Sequence, residues 1–305
     1  MTVEKSRSFK SKILLFGEYT LIKGSMALSI PFGKYSGQLL FDTESRNHQS
    51  NHYSVAYLLD YLHFLMESGF EDYIDLDILK KDIEQGLIFE TNIPISYGLG
   101  SSGVIVASVY DTYAFNKTDD LDELKHIFSK MESCYHGKSS GLDPLVSYLN
   151  KAILINEKGD LTTVVLPKEN EDSNSGIFLI DTKTVGETQP LVSWFLKEFE
   201  KGSFMRKIQD ILIPANNKCI KHYLWVNFNN VIKDVKAISR FTLENFSPMI
   251  PDPILGIWEN GLSSDDYYLK LCGSGGGGMM LGFTSKLEES RQALRDFDFY
   301  ELMSI

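Results

Sequence analysis

Behind a polar, basic start, Lys12 leads into the apolar run Ile13-Leu14-Leu15-Phe16. This predicts a strand over 12–16, closed by a Gly17-Glu18-Tyr19 turn. Strand character returns over 37–42. Tyr53, Ala56, Tyr57, Leu59, Leu62 and Leu65 recur at helical spacing, which predicts a helix over 53–67. A short strand is expected at 87–91. The apolar segment 104–115 is long enough for a buried helix. Asp119 or Asp120 can cap the next helix, with Glu123 near its third position and an apolar stripe of Leu121, Leu124, Ile127, Phe128, Met131 and Tyr135. A polar glycine loop over 136–141 runs into Leu142-Asp143-Pro144. Segments 152–155 and 161–166 read as a hairpin around Lys158-Gly159.

The stretch 167–175, Pro-Lys-Glu-Asn-Glu-Asp-Ser-Asn-Ser, lacks large apolar side chains and reads as a linker. It divides the chain into expected domains 1–170 and 171–305. The second half shows a strand at 177–180, a long helical region over about 189–246 and a Pro-rich turn at 248–253. Strands at 267–271 and 279–283 then flank the run Gly273-Ser274-Gly275-Gly276-Gly277-Gly278. A helix over 286–295 and a last short strand follow. Strands separated by helices in this order suggest a split βαβ sheet.

Composition sharpens this picture. At 305 residues, 43% hydrophobic and 23% charged, the chain is an ordinary folded protein of two-domain size. Asp plus Glu outnumber Lys plus Arg by 41 to 30, a net charge of -11. An acidic chain without a basic stripe is a poor partner for nucleic acid or anionic lipid. An anionic substrate would have to be held by local cations and backbone N–H groups. The run 13–16 is too short for a signal-peptide core, and no stretch approaches the roughly 18 apolar residues of a membrane span. Cys134, Cys219 and Cys272 are far apart and lack metal-ligand spacing, so they read as reduced thiols. A cytoplasmic protein is expected.

Candidate chemistry gathers in a few segments. Gly98-Leu99-Gly100-Ser101-Ser102-Gly103 precedes the buried helix. Glycines allow a tight turn and close approach, and N–H groups at a helix start attract phosphate. The serines can add a donor or a metal ligand; the same loop could also be a helix start with no ligand. It fits Gly-x-Gly-x-x-Gly, as do Gly273, Gly275 and Gly278. A dinucleotide site would place that pattern in the first turn of a βαβ unit, whereas a Pro-containing stretch, 92–97, intervenes here. A P-loop is excluded, because Glu132 stands where the glycine before Gly137-Lys138-Ser139 is required.

Glu132 and Asp143 flank the glycine turn at 137–141, which can fold the chain back and bring both carboxylates together. One could then bind a divalent cation while the other accepts a proton; either alone could be a solvated acid or a cap. Lys12 is a surface charge or a fixed cation beside a transferred phosphate. The run 273–278 has more glycine than a hairpin needs, and points to close backbone approach to a ligand or to the other glycine loop.

Three segments in this order resemble the GHMP kinases: Lys12-Ile-Leu-Leu-Phe-Gly-Glu-Tyr19, Pro94-Ile-Ser-Tyr-Gly-Leu-Gly-Ser-Ser102 and Lys270-Leu-Cys-Gly-Ser-Gly-Gly-Gly-Gly278. Within that family, His136-Gly-Lys-Ser-Ser-Gly-Leu-Asp143 is similar to the mevalonate kinase branch, as are the spacing from Glu132 to Asp143 and Asp181-Thr-Lys183 followed by Thr188. The resemblance implies an α+β, two-domain GHMP kinase fold. Its N-terminal part would be an α/β domain like domain 2 of ribosomal protein S5, and its C-terminal part a ferredoxin-like α/β sandwich. It implies an ATP- and Mg²⁺-dependent kinase acting on a small alcohol, mevalonate or a relative, and is compatible with a homodimer. Asp143 would be the base and Lys12 its cationic partner. Gly98, Leu99, Gly100, Ser101, Ser102 and Gly103 would cradle ATP phosphates, and Ser102 and Glu132 would hold Mg²⁺. Glu18, Tyr19, His136, Ser140, Thr188, Gly275 and Gly276 would face the acceptor. Mevalonate kinases usually carry Gly-Glu-His where this chain has Gly17-Glu18-Tyr19, a form that phosphomevalonate kinases favour. Phosphomevalonate kinase therefore stays open, as does a GHMP sugar kinase, with a dinucleotide-binding enzyme or a non-catalytic binding protein as distant alternatives.

Overall fold

The computed structural model describes the chain except residues 1–6, 42–50, 54, 95–96, 171–172 and 187, and the side chains of 51–53, 136 and 188. It divides into two compact units. The first comprises Met1–Ile13, Ser29–Ile95 and Leu99–Ala152; the second comprises Leu14–Leu28, Ser96–Gly98 and Ile153–Ile305.

In the first unit, β2 (Ala27–Phe41) pairs with β1 (Phe9–Phe16) and with β4 (Leu87–Thr91), and β3 (Asn51–Tyr53) pairs on the far side of β4. β2 and β4 are antiparallel with Gly37 opposite Thr91 and Phe41 opposite Leu87. Two helices precede the glycine loop: α1 (Val55–Glu67) and α2 (Leu76–Glu84). Then α3 (Ser101–Tyr113) runs through the core, with every residue from Gly103 to Tyr110 buried. That explains its apolar composition on all faces. By contrast, α4 (Leu121–His136) is amphipathic and packs Leu124, Ile127, Phe128 and Met131 inward. Its cap is Asp120, whose Oδ1 accepts the Glu123 N–H at 2.8 Å. The short α5 (Leu142–Leu149) packs on α3 and α4, where Tyr110, Phe128 and Tyr148 meet edge to face.

The second unit holds the hairpin of β5 (Ala152–Ile155) and β6 (Leu161–Val164), then a four-stranded sheet. Its strands are β7 (Gly176–Asp181), β8 (Tyr268–Leu271), β9 (Met279–Thr284) and β10 (Asp298–Ser304), in the order β10-β7-β9-β8 and antiparallel throughout. Among the described residues five α-helices separate β7 from β8: α6 (Thr188–Phe199), α7 (Gly202–Lys207), α8 (Ile213–Leu224), α9 (Phe228–Asn245) and α10 (Asp252–Ser264). α11 (Leu287–Ala293) separates β9 from β10. This is the split βαβ order expected from the sequence, a ferredoxin-like sheet. β8 and β9 are buried at every position, so apart from Lys270 and Thr284 they read as apolar runs rather than alternating ones. α9 and α10 cover β8, and Trp258 of α10 donates its indole N–H to the Ser239 carbonyl of α9 at 3.2 Å. Among the described residues no helix is long and apolar enough to cross a membrane. All three cysteines are free thiols.

Candidate active site

β1 carries Lys12 into the interior of the first unit. The side chain is 6% exposed, and its Nζ lies 2.9 Å from Asp143 Oδ2. Its backbone N–H donates to the Leu99 carbonyl at 3.2 Å, which ties the strand to the glycine loop. Asp143 sits in the first turn of α5, just after Gly141, and its side chain is 31% exposed. The lysine is thus fixed while the carboxylate stays reachable.

Gly100 caps α3 with φ +75°. A Cβ there would lie 2.8 Å from Lys12 Cε and 3.4 Å from Asp143 Oδ2. Only glycine lets the loop backbone lie against this pair. The first-turn N–H groups of α3 have no partner inside the helix, with the positive end of its dipole behind them. Ser101 and Ser102 stand in that turn.

Glu132 lies near the end of α4 and is 3% exposed. Its Oε1 accepts the Ser102 hydroxyl at 2.9 Å, and its Oε2 accepts the Ser139 hydroxyl. Burial, then the Asp143 charge, pushes its carboxyl up to about 7, against the opposing pull of both hydroxyls and Lys12. The turn between the two carboxylates folds back onto α4. A Cβ on Gly141 would lie 2.2 Å from the Lys125 carbonyl oxygen. The Ser140 hydroxyl accepts the Leu142 N–H at 3.3 Å on the exposed side of that turn. His136 ends α4; its side chain lies outside the described residues.

In the second unit, Glu18 and Lys270 form a buried ion pair, with side chains 8% and 4% exposed. Tyr19 has φ +60°, a left-handed conformation costly for a bulky side chain. Its ring contacts Phe195 and Phe246, with centroids at 4.8 and 5.8 Å. Its hydroxyl donates to the Ser274 carbonyl at 2.6 Å. The glycine run is pinned by its own backbone. Gly276 N–H donates to the Met249 carbonyl and Gly278 N–H to the Thr184 carbonyl, both at 2.7 Å, while Thr182 donates its hydroxyl to the Gly278 carbonyl. A Cβ on Gly98 would lie 2.8 Å from the Cys272 carbonyl, so the run does approach the start of the other glycine loop. Thr188 opens α6; its side chain lies outside the described residues. Lys183, the basic residue of the 181–183 segment, pairs on the surface with Asp298 at 3.3 Å.

Lys12, Gly100, Ser102, Glu132 and Asp143 are therefore gathered in the first unit, and Glu18, Tyr19, Gly98, Gly275 and Gly276 belong to the second. Sequence reasoning missed two members of these clusters. Ser139 was visible as the tail of a failed P-loop pattern and as an unspecified position of the 136–143 segment, with no role attached to it in either. Lys270 is a lysine inside an apolar strand, which is a signal in itself.

A family model described as the GHMP kinases N terminal domain matches residues 60–151, the span that contains the glycine loop, Glu132 and Asp143. The chain has the GHMP kinase fold. A mevalonate kinase of Thermococcus sibiricus is 24% identical over 303 residues, covering 90% of this chain and 87% of that one. The structure of L. major mevalonate kinase in complex with R-mevalonate superposes with a TM-score of 0.67 at 14% identity, covering 99% and 97% of the two chains. Lactococcus lactis galactokinase complexed with galactose does so with a TM-score of 0.68 at 16% identity, covering 99% and 94%. These two structures of the same fold hold different alcohols, and the fold by itself does not choose among them.

Proposed function

We propose that this chain is a mevalonate kinase, transferring the γ-phosphoryl group of ATP to the primary hydroxyl of mevalonate and so supplying 5-phosphomevalonate for isoprenoid precursor synthesis. The observation that carries the proposal is the Lys12–Asp143 pair held against the Gly100 backbone. Relatives named mevalonate kinase, similar over about 90% of this chain, support the choice of acceptor.

Phosphoryl transfer asks a protein mainly for positioning and charge stabilisation. Asp143 accepts the hydrogen bond of the acceptor hydroxyl, aims its oxygen at the phosphorus and takes its proton as the new bond forms. Lys12, fixed by burial, favours the developing alkoxide and offsets charge on the transferred group. The first-turn N–H groups of α3 hold the phosphates without needing a basic protein.

The donor set of Ser102 and Glu132 fits Mg²⁺. Both are hard oxygens, 2.9 Å apart, and the carboxylate is buried. Among the described residues no three acidic, His or Cys side chains form a protein-only cage. Mg²⁺ in kinases commonly takes one or two carboxylates and completes its shell with phosphates and water. Bound there, it would neutralise charge on the phosphate oxygens.

Phosphomevalonate is the second reading, and Tyr19 favours it. Where a substrate-facing His is the usual residue, this chain has a neutral phenol already engaged with Ser274. A coupled ADP-release assay across mevalonate, phosphomevalonate, homoserine and galactose tests the reading. Mevalonate should turn over with the highest kcat/KM. A higher value for phosphomevalonate would replace the proposal with the second reading, and turnover of none would sink both.

A further inference from the structure

Glu132 holds its carboxylate between two hydroxyls that come from different elements. Ser102 lies in the first turn of α3, and Ser139 lies in the turn between α4 and α5. Ser139 is itself fixed from other directions. Its hydroxyl accepts the Gly141 N–H at 3.0 Å, and its carbonyl accepts the Ser129 hydroxyl of α4 at 2.6 Å. The fold-back at Gly141 presses the same turn against the α4 backbone near Lys125 and Ser129. The helix that carries Glu132 therefore also anchors the residue that grips its outer oxygen.

We infer that Ser139 is a positioning residue for the divalent cation: by occupying Glu132 Oε2 it leaves Oε1, on the Ser102 side, as the single carboxylate oxygen offered to the metal. The inference rests on the reading of Glu132 as a cation ligand. A buried carboxylate takes its orientation from its hydrogen bonds, and partners of this kind set ligand geometry. One-oxygen coordination suits Mg²⁺, whereas Ca²⁺ accepts both oxygens of a carboxylate. Without the Ser139 donor, Glu132 could rotate and offer both oxygens.

The test is binding, not turnover. A fluorescent ATP analogue is titrated against the full chain in EDTA and across a series of Mg²⁺ or Ca²⁺ concentrations. Ser139→Ala should raise the Mg²⁺ needed for half-maximal enhancement of nucleotide binding by roughly 10-fold or more, the usual scale for losing such a partner. It should leave binding in EDTA unchanged and narrow the preference for Mg²⁺ over Ca²⁺. Ser139→Thr, which keeps the hydroxyl, should restore the wild-type curve. Ser139→Cys, a weak donor of similar size, should shift with the alanine variant and serves if that variant does not fold. Glu132→Gln is the reference. If it shifts the Mg²⁺ curve and Ser139→Ala does not, the role of Ser139 is overturned. If neither shifts, the ligand role of Glu132 fails and takes the inference with it. Equal loss of nucleotide binding with and without Mg²⁺ in Ser139→Ala would mark a role in loop folding and also overturn it.

Discussion

Lys12 Nζ and Asp143 Oδ2 lie 2.9 Å apart, with the lysine sealed in the core and the aspartate about one-third open. The asymmetry divides the work: one group is held still, and the other meets the acceptor. Asp143→Asn keeps the shape and removes the proton acceptor. It should lower kcat by about 10²–10⁴-fold, the range for a positioned base, with nucleotide affinity little changed. Near-wild-type kcat in steady-state assays would remove Asp143 from the chemistry.

Gly100→Ala places a methyl 2.8 Å from Lys12 Cε on a residue with φ +75°. The left-handed backbone alone costs about 1–2 kcal/mol for a residue with a Cβ. The variant should therefore melt lower and also lose kcat, because Lys12 must move. Unchanged activity alongside a lowered Tm would show that the loop tolerates a Cβ without disturbing the Lys12–Asp143 pair.

Glu132 gives a pH dependence with a definite sign. Its carboxyl stands at about 7 in the folded chain against an ordinary value of 4.5, so between those values the folded state binds more protons than the unfolded state. Stability contributed by this group is full below about pH 4.5 and falls as pH rises toward about 7, then levels. The span corresponds to about 3 kcal/mol, as an order of magnitude. Denaturant melts in EDTA at several pH values should show Glu132→Gln gaining on the parent chain between pH 5 and 7. A difference that does not vary with pH would mean that Glu132 is ionised throughout.

Lys270 and Glu18 are both nearly inaccessible. Lys270→Met removes the countercharge of a buried carboxylate, which typically costs about 3–5 kcal/mol. Adding Glu18→Gln should recover much of that loss in urea unfolding. If the single and double variants are equally destabilised, the pair is not coupled.

Much of this was legible in the sequence where local chemistry and tertiary structure agree. The Asp120 cap, the buried helix behind the glycine loop and the paired strands around the glycine run all announce themselves in short windows. The approach of Glu132 and Asp143 was expected from the turn at 137–141, whereas Lys12 beside Asp143 followed only from the family resemblance. Other elements were hidden for physical reasons. β2 runs fifteen residues through Pro31, Gly33 and Gly37, turn-formers that a paired strand overrides, so only its end looked extended. Asp143 looked like a loop residue, yet it lies in the first turn of α5, where Pro144 costs nothing because its missing N–H would have no partner. The stretch 189–246 read as one helical region, but it breaks at Lys201 and at Trp225-Val226, where Val226 takes φ +59°. α2 was not anticipated, although Leu76, Leu79 and Ile83 fall on one face behind an Asp75 cap. The grip of Ser139 on Glu132 depends on a fold-back that no periodicity encodes.

The Gly17-Glu18-Tyr19 turn has a consequence for how the chain is made. Tyr19 meets Ser274 across 255 residues of sequence, and Glu18 meets Lys270 across 252. An emerging chain holds this turn while the 252 residues up to Lys270 are added. Contacts of such separation are slow to form. Until the strand that carries Lys270 leaves the ribosome, the acidic turn and its phenol have water in place of these partners, and a product truncated before residue 270 would never form either contact.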